Sequence, residues 1–375
     1  MMLKKIKNFF LFLIIFFIFD YFLTLFFISK FNFYEKFYPQ QNHRISNINY
    51  HHSFKKNADT YDYWGKYKYK FFTNSIGFKD KLNRNITKKT NLKKRIIIIG
   101  DSFAEGIGYK YEETFVGLLD KQMQNKNIEI LNAGVASQSP IIYYKKIKYL
   151  IDQKNLFFDE LIVFLDISDI PDEYYYNKNF NINDSKKFNI RNYLQEFLIK
   201  NISSYLFLDI ILSRVNNLKE NIILRSNASK EFKISFLHTT KDKMNLFKSI
   251  NVERGNWMQE TKQSNIKTKK GRELAELYLS KLLILCKKNN IKFNLVIYPW
   301  PNQIFFKYNP SLYREFWKNW SISKKVNFFD LFNYFEDDVP ENIINNYFIP
   351  GDIHWNKFGH SYIFDIMMDV YFKNL

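Results

Sequence analysis

The chain reads Arg95-Ile96-Ile97-Ile98-Ile99-Gly100-Asp101-Ser102-Phe103 where its regular apolar pattern begins. An apolar run of this kind, bounded by a basic residue and a glycine, predicts a strand buried on both faces of a sheet. An amphipathic pattern from Glu113 to Met123 predicts a helix, across a loop that carries Gly106 and Gly108. Ligands of open α/β sheets bind at the carboxyl ends of the strands. Ser102 therefore stands where a functional group is expected, although a serine after a strand also serves as a helix cap or turn residue.

The same pattern continues along the chain. Further strands are predicted at Ile128 to Leu131, Leu161 to Leu165, Phe293 to Tyr298 and Val326 to Phe329, and a helix follows Pro140. Alternating strands and helices predict a parallel sheet with right-handed crossovers.

A second informative segment lies near the C-terminus, where the chain reads Pro350-Gly351-Asp352-Ile353-His354-Trp355-Asn356. Asp352 and His354 are two positions apart, so in extended backbone both side chains leave the same side. The acid can then accept from one imidazole nitrogen while the other faces a nucleophile, as general-base activation of a serine requires. Asn356 is placed to cap a final helix.

Together, the early Gly-Asp-Ser and the late Asp-x-His resemble the SGNH, or GDSL, hydrolase superfamily, over the chain from about Arg95 to its end. The resemblance implies an α/β fold with a flavodoxin-like parallel sheet flanked by helices. It also implies that Ser102 is the nucleophile and that Asp352 and His354 complete the catalytic set. Many members place two residues between this Asp and His, whereas this chain places one.

The resemblance extends to the groups that would hold an oxyanion. Ile130-Leu131-Asn132-Ala133-Gly134 matches the second block of the family, which implies that Gly134 and Ser102 donate backbone N–H groups. The third block departs from the family, because Ser168 stands where an Asn usually donates from its side chain. Ser168 is then the third predicted donor, and losing one good donor typically costs about 100- to 1000-fold in turnover.

The implied activity is that of a serine ester hydrolase, acting as an esterase or deacetylase on a cell-envelope glycan. Two alternatives remain open: a polysaccharide O-acyltransferase with the same triad, and a catalytically degenerate domain that binds a glycan or partner. Candidate substrate-binding residues are Asp101, Asp169, Trp257 and Trp300. The two tryptophans are candidate sugar-stacking platforms, with core or surface packing as the alternative.

Composition and charge limit the classes of partner that we expect for this chain. The chain has 375 residues, is 46% hydrophobic and 19% aromatic, and carries a net charge of +19. Its lysines are scattered and no helix-turn-helix, zinc or RNA-recognition motif accompanies them, so we predict a solvated basic surface and no nucleic-acid partner. No cofactor is predicted. His51 and His52 lack the spacing of a metal site, and Cys286, the one cysteine, is expected to be a buried thiol.

The N-terminus predicts a membrane anchor. An apolar segment from Phe9 to Ile28 is about 20 residues long, enough to span a bilayer as one helix. Basic residues at Lys4, Lys5 and Lys7 place the N-terminus in the cytoplasm and the rest outside, which is the periplasm in a Gram-negative cell. A cleaved signal peptide is the alternative, but no small-residue cleavage site follows the segment.

These patterns divide the chain into residues 1–30 as an anchor, 31–94 as an extracytoplasmic lead-in, and 95–375 as the hydrolase domain. A helical insertion is predicted at about 171–268, and its apolar run from Tyr205 to Leu212 is too short to span a membrane. We interpret that run as part of a helical lid or as a face that packs on the core. Asp20, within the predicted span, is costly in a bilayer unless it faces a partner helix, and the sequence shows no second clear span to supply one.

Overall fold

The computed structural model of the protein describes residues 2–31, 41–92, 94–179, 194, 197–199, 201–231, 240–259, 266–307, 313–336 and 339–375. Part of the predicted insertion, including Ile190, lies outside the described residues. The described chain divides into two compact units. One contains Met1–Gln40 and Asn183–Thr239, which include the N-terminal helix and a second long helix, and the other contains Gln41–Ile182 and Thr240–Leu375.

The strands, in chain order, are β1 (Arg44–Asn47), β2 (His51–Phe54), β3 (Asp59–Trp64), β4 (Tyr67–Thr73), β5 (Lys79–Asp80), β6 (Lys94–Ile99), β7 (Ile128–Asn132), β8 (Glu160–Leu165), β9 (Lys292–Ile297) and β10 (Asn327–Asp330). The helices are α1 (Met2–Phe31), α2 (Ser102–Glu105), α3 (Phe115–Gln124), α4 (Pro140–Asp152), α5 (Asp169–Asn179), α6 (Ser203–Glu231), α7 (Lys241–Ile250), α8 (Ile266–Lys288), α9 (Pro301–Phe306), α10 (Arg314–Lys324), α11 (Pro340–Tyr347) and α12 (Lys357–Val370).

The central sheet has the strand order β10-β9-β8-β6-β7-β5-β4-β3. Its first five strands are parallel, in the flavodoxin-like order: β6, the earliest of the five along the chain, lies between β7 and β8. Ile96 to Ile99 of β6 are fully buried, as the uninterrupted apolar run predicts. The predicted fold class is therefore confirmed. The order reverses between β6 and β8, and this is the point where open α/β sheets bind ligands.

The lead-in before β6 is part of this sheet. β3, β4 and β5 continue it as antiparallel strands, and Lys79 of β5 pairs with Asn132 of β7. Tyr69 and Phe71 of β4 are buried, because alternate side chains of a half-covered strand face the core. The compact unit thus begins before the predicted boundary at residue 95, and the predicted insertion from 171 contributes α5 and α7 to it.

The remaining unit is built from α1 and α6. Between Lys4 and Phe26, α1 is long and apolar enough to cross a membrane. In the larger unit, Cys286 is fully buried in α8, and burial raises the pKa of its thiol to about 12.

Glu173 joins two of the helices that cover the sheet. It lies on α5, and its Oε1 accepts hydrogen bonds from Ser139 Oγ at 2.8 Å and from the backbone N–H of Ile141 at 2.5 Å, at the start of α4. Its side chain is fully buried, and Oε2 has no hydrogen-bond partner among the described residues. Burial raises the pKa of this carboxyl from 4.5 to about 8, although both donors favour the ionised form.

Replacing Glu173 by Gln should change how stability depends on pH. The folded state binds the Glu173 proton more tightly than the unfolded chain does, so protonation stabilises the fold. This stabilisation is complete below about pH 4.5 and is lost as pH rises through about 8. Gln keeps an acceptor oxygen and has no charge to bury. We expect the free energy of unfolding of the wild type, relative to Glu173→Gln, to fall by on the order of 1 kcal/mol or more between about pH 5 and pH 8.

Urea unfolding of the full chain in detergent, followed by tryptophan fluorescence at several pH values, measures this difference. Glu315→Gln, at an exposed position of α10, is the matched control and should give a pH-independent difference. A constant difference for Glu173→Gln as well would contradict the prediction.

Candidate active site

Ser102 begins α2, directly beyond the carboxyl end of β6. Asp101 caps this short helix, because its Oδ1 accepts the backbone N–H of Phe103 at 3.0 Å. The helix ends at Gly106, whose φ of +71° lies in the left-handed region that glycine adopts readily. Strand, cap and helix end together hold the Ser102 side chain at the reversal point of the sheet.

His354 and Asp352 approach Ser102 from the loop between α11 and α12. His354 Nε2 lies 2.8 Å from Ser102 Oγ, and His354 Nδ1 lies 2.5 Å from Asp352 Oδ1. Asp352 Oδ1 also accepts the backbone N–H of His354 at 3.0 Å. The structure thus brings together the three residues predicted from the two motifs. The distances are those required between a nucleophile, its base and the residue that orients the base.

The loop is fixed independently of these side chains. The backbone N–H of Ile349 donates to the carbonyl of His354 at 2.8 Å, and Asn356 Oδ1 accepts the N–H of Gly359 at 2.9 Å as the cap of α12. The His354 ring lies 4.9 Å from the ring of Phe103, centroid to centroid. His354 itself is buried. The imidazole is therefore held by a capped helix start, a backbone bridge and an aromatic neighbour.

Trp64, at the end of β3, supplies the second donor to Asp352. Its Nε1 donates to Asp352 Oδ2 at 2.8 Å, and its ring meets the His354 ring edge-on at 5.0 Å. Burial would raise the pKa of Asp352, but the hydrogen bonds from His354 and Trp64 outweigh it and the pKa is lowered. Asp352 is therefore ionised at neutral pH. The sequence carries no signal for Trp64, because it lies 288 positions from Asp352 and belongs to no motif.

Other residues of the N-terminal strands hold α2 and the loop after it. Arg44 Nη2 donates to Glu105 Oε1 at 2.5 Å and to Asp62 Oδ2 at 2.7 Å. Lys79 is buried and donates to the carbonyls of Gly106 and Tyr109 at 2.8 and 2.6 Å. Burial lowers the pKa of Lys79 to about 8. No motif in the sequence indicates these contacts, since each joins a single charged residue to a distant segment.

The predicted oxyanion donors have partners within the protein. The backbone N–H of Gly134 donates to Asn132 Oδ1 at 2.9 Å, and Ser168 Oγ donates to Asp166 Oδ1 at 2.8 Å. A Cβ at Gly134 would lie 2.5 Å from the backbone nitrogen of Glu105, so only glycine fits against α2 here. Ser102 is the first residue of α2, and the first N–H groups of a helix have no partner within it.

The other predicted substrate-binding residues are buried or form hydrogen bonds within the protein. Trp300 is buried and donates through Nε1 to Asp166 Oδ2 at 3.0 Å, and Asp169 is fully buried and accepts from the hydroxyl of Tyr143. Trp257 is half-buried and donates to the carbonyl of Ile167 at 3.0 Å. Internal packing against residues around β8 accounts for these positions. We therefore do not assign them to substrate binding.

Asp101 is buried beside Asp166 and has more than one partner. Its Oδ2 lies 3.2 Å from Ser102 Oγ, and its Oδ1 lies 3.3 Å from the hydroxyl of Tyr298. Burial and the charge of Asp166 raise the pKa of Asp101 well above its ordinary value. The same two causes raise the pKa of Asp169. These carboxyls therefore hold protons at a pH where exposed ones have lost theirs. Asp101 is buried and contacts Ser102, Phe103 and Tyr298, so we do not assign it to substrate binding.

A pocket of about 710 Å³ opens beside the carboxylate end of the site. Its lining combines aromatic side chains with charged and amide groups, and it reaches the site through Asp352. The lining includes Trp64, Lys66, Tyr67, Lys241, Asn245 and Asn345. No group of three or more His, Cys, Asp or Glu that could hold a metal ion occurs within the part of the chain that the structure describes. His52 Nε2 instead lies 2.9 Å from the carbonyl of Ala136.

A scan against protein-family models gives no match, and a search of curated proteins gives none. Among solved structures, the chain is similar to a protein described as lipolytic and of the G-D-S-L family from Desulfitobacterium hafniense DCB-2, with 12% identity, a TM-score of 0.38, and 74% of this chain and 99% of that one covered. It is also similar to the psychrotrophic esterase EstA from Pseudoalteromonas sp., with 12% identity, a TM-score of 0.38 and coverages of 75% and 98%.

A third similar structure is the acetyl xylan esterase AlAXEase, with 13% identity, a TM-score of 0.39 and coverages of 74% and 99%. These likenesses concern the fold. The chemistry of this chain follows from the side chains gathered around Ser102.

Replacing Trp64 by Phe should slow the reaction of Ser102. Phe keeps an aromatic ring against His354 but removes the N–H that Asp352 Oδ2 accepts. A hydrogen bond to a charged group contributes about 1.5–3 kcal/mol, so we expect Ser102 to react with a fluorophosphonate about 10- to 100-fold more slowly. The pKa of Asp352 should rise, because its ionised form loses a hydrogen-bond donor. The acid limb of the pH profile of labelling should then move to higher pH.

Labelling rates measured from about pH 4 to pH 8 test both effects. Trp257→Phe also removes an indole donor, but one whose acceptor is the carbonyl of Ile167, and it should label at the wild-type rate. A wild-type rate and pH profile for Trp64→Phe would show that the indole does not hold Asp352.

Proposed function

We propose that this chain is a serine ester hydrolase that works through an acyl-enzyme. The proposal rests on one observation, the continuous chain of contacts from Ser102 Oγ to His354 Nε2 at 2.8 Å and from His354 Nδ1 to Asp352 Oδ1 at 2.5 Å. A serine that only caps a helix needs no imidazole in contact with its hydroxyl. An aligned hydroxyl, imidazole and carboxylate are the parts that nucleophilic acyl transfer uses.

In the proposed reaction, Ser102 Oγ attacks the ester carbonyl while His354 Nε2 takes the hydroxyl proton. Asp352 stays ionised, since His354 and Trp64 both donate to it, and it stabilises the imidazolium that forms. His354 then gives the proton to the departing alcohol, which leaves the acyl group on Ser102. A water molecule, deprotonated by His354, attacks this ester, releases the acid and restores the serine.

The negative charge on the carbonyl oxygen needs hydrogen-bond donors. We assign this role to the backbone N–H groups of Ser102 and Gly134, with Ser168 as the third group. Asn132 Oδ1 now accepts the N–H of Gly134, so a substrate oxygen has to compete with this amide. Ser168 Oγ has to turn away from Asp166 in the same way. This competition favours slow turnover over fast.

The pocket beside Asp352 favours a carbohydrate ester as the substrate. Its walls carry the rings of Trp64 and Tyr67, which are both partly exposed, together with the side-chain amides of Asn245 and Asn345. Flat aromatic faces suit the apolar face of a sugar ring, and amides both donate to and accept from its hydroxyl groups. We therefore propose an acylated glycan as the substrate, with the sugar in this pocket and the acyl carbon at Ser102.

We also propose that α1 anchors the protein in a membrane with its N-terminus in the cytoplasm. Lys4, Lys5 and Lys7 precede the apolar part of α1, and a positive charge excess marks the cytoplasmic side. The hydrolase unit then lies outside the cytoplasm, where acylated envelope glycans are found.

A non-catalytic glycan-binding module is the second candidate. It is favoured by one observation, that Gly134 and Ser168 already have internal partners where an oxyanion hole needs available donors. The two candidates differ in whether Ser102 is reactive.

Labelling of the full chain with a fluorophosphonate, in detergent at about pH 8, separates these candidates. A hydrolase should be labelled stoichiometrically, Ser102→Ala should abolish labelling, and His354→Ala should slow it at least about 1000-fold, because the serine loses its base. Ser323→Ala, at an exposed serine of α10, is the control and should label like the wild type. Absence of labelling in a chain with normal circular dichroism would favour the binding module.

Product analysis then distinguishes hydrolysis from transfer. The enzyme is incubated with p-nitrophenyl acetate, with and without an excess of a chito-oligosaccharide. Release of acetate alone in both cases is expected for a hydrolase. Acetylated oligosaccharide as the main product would instead identify an O-acyltransferase that uses the same Ser102.

A further inference from the structure

Helix α6 exposes an apolar stripe. Its large aliphatic side chains recur at the three- and four-residue spacing of one helix face, and all are between 40% and 62% exposed: Leu208, Ile211, Leu212, Val215, Leu218, Ile222 and Ile223. Soluble proteins rarely leave so large an apolar surface in water, and such a surface marks a site of interaction. At about 100° per residue, Lys219 lies within the stripe, Asp209 and Glu220 lie beyond one of its borders, and Arg214 and Arg225 lie beyond the other.

The start of α6 is bound to α1 by polar contacts. Thr24 Oγ1 accepts the backbone N–H of Ser203 at 2.5 Å and lies 2.6 Å from its hydroxyl. The carboxylate of Asp20 accepts the hydroxyl of Ser204 at 2.8 Å and its backbone N–H at 3.2 Å. Asp20 and Thr24 are thus a cap for α6 that is supplied by another helix. This contact accounts for an acid in an otherwise apolar segment.

The position of this cap along α1 locates the start of α6. Asp20 follows Lys4 by 16 residues, or about 24 Å of helix, and Thr24 follows it by about 30 Å. The hydrocarbon core of a bilayer is about 30 Å thick. If Lys4 lies at one face of the membrane, α6 therefore begins close to the opposite face. Among the described residues, α1 is the only helix that is long and apolar enough to span a membrane.

We propose that α6 lies in the membrane–water interface on the extracytoplasmic side, with its apolar stripe in the lipid and its charged borders toward the headgroups and water. This inference rests on the proposed anchoring by α1. The bilayer is favoured over a protein partner because the helix that would cross it also caps α6. Arg214 and Arg225, at the border of the stripe, would meet lipid phosphates, as basic residues do in interfacial helices. The chain is then held by one spanning helix and one interfacial helix.

Depth-dependent quenching tests this arrangement in the full chain, reconstituted in vesicles of phosphatidylcholine and phosphatidylglycerol with brominated acyl chains. Single cysteines carrying the NBD fluorophore are placed at Ile211→Cys and Leu218→Cys in the stripe, at Glu220→Cys on the other side, and at Ile15→Cys within α1. Cys286 is buried with a raised pKa, so the wild-type chain is the control for background labelling.

We expect quenching at positions 211 and 218 to be at least about twofold stronger than at position 220, and strongest with bromines near the headgroups. Position 15 should be quenched best by bromines near the bilayer centre. Quenching at 15 without quenching at 211 and 218 would overturn the interfacial assignment and leave the anchor intact. Equal quenching at 211, 218 and 220 would overturn it in favour of full insertion, and no quenching at any position would overturn the anchor as well.

Discussion

The contact between Ser102 Oγ and His354 Nε2 is the interaction on which the proposed chemistry depends. It joins two side chains that are 252 positions apart. Each side of the contact is fixed separately. β6 and the Asp101 cap hold the serine, and the capped start of α12 holds the loop with the imidazole. The hydrogen bonds that hold each segment are local to it, and the fold brings the two segments together at the carboxyl end of β6.

The antiparallel strands contribute as much to the site as the parallel ones. Trp64 donates to Asp352, Arg44 pairs with Glu105 of α2, and Lys79 holds the loop after α2. Each of these donors is a polar group at least partly removed from water, where a hydrogen bond to a charged or backbone acceptor is stronger than at the surface. The flavodoxin-like core thus supplies the reacting groups, and the lead-in strands supply donors that fix their positions and charge.

Much of this could be predicted, because the signals are local. Four isoleucines in succession predict β6, and the spacing of Asp352 and His354 predicts that they act together. The role of Trp64 could not be predicted, since a lone tryptophan carries no information about which distant carboxylate it meets. The same holds for the amide of Asn132 that occupies the N–H of Gly134. The extent of the compact unit is also not a local signal, because the sequence pattern describes strands one by one, whereas sheet membership is decided by pairing between strands.

The pairing of β5 with β7 has a consequence for what can fold alone. Without residues 41–92, β7 would become an outer strand of the sheet, and Asn132, its one residue paired with β5, would lose that partner. An outer strand presents unpaired N–H and C=O groups that invite association with other chains. The side chains of β4 that cover this part of the core, Tyr69 and Phe71, would be missing as well. A fragment that keeps every recognisable motif would therefore be prone to aggregate. The smallest autonomous piece of this protein therefore includes the antiparallel strands, and it is longer than the motifs suggest.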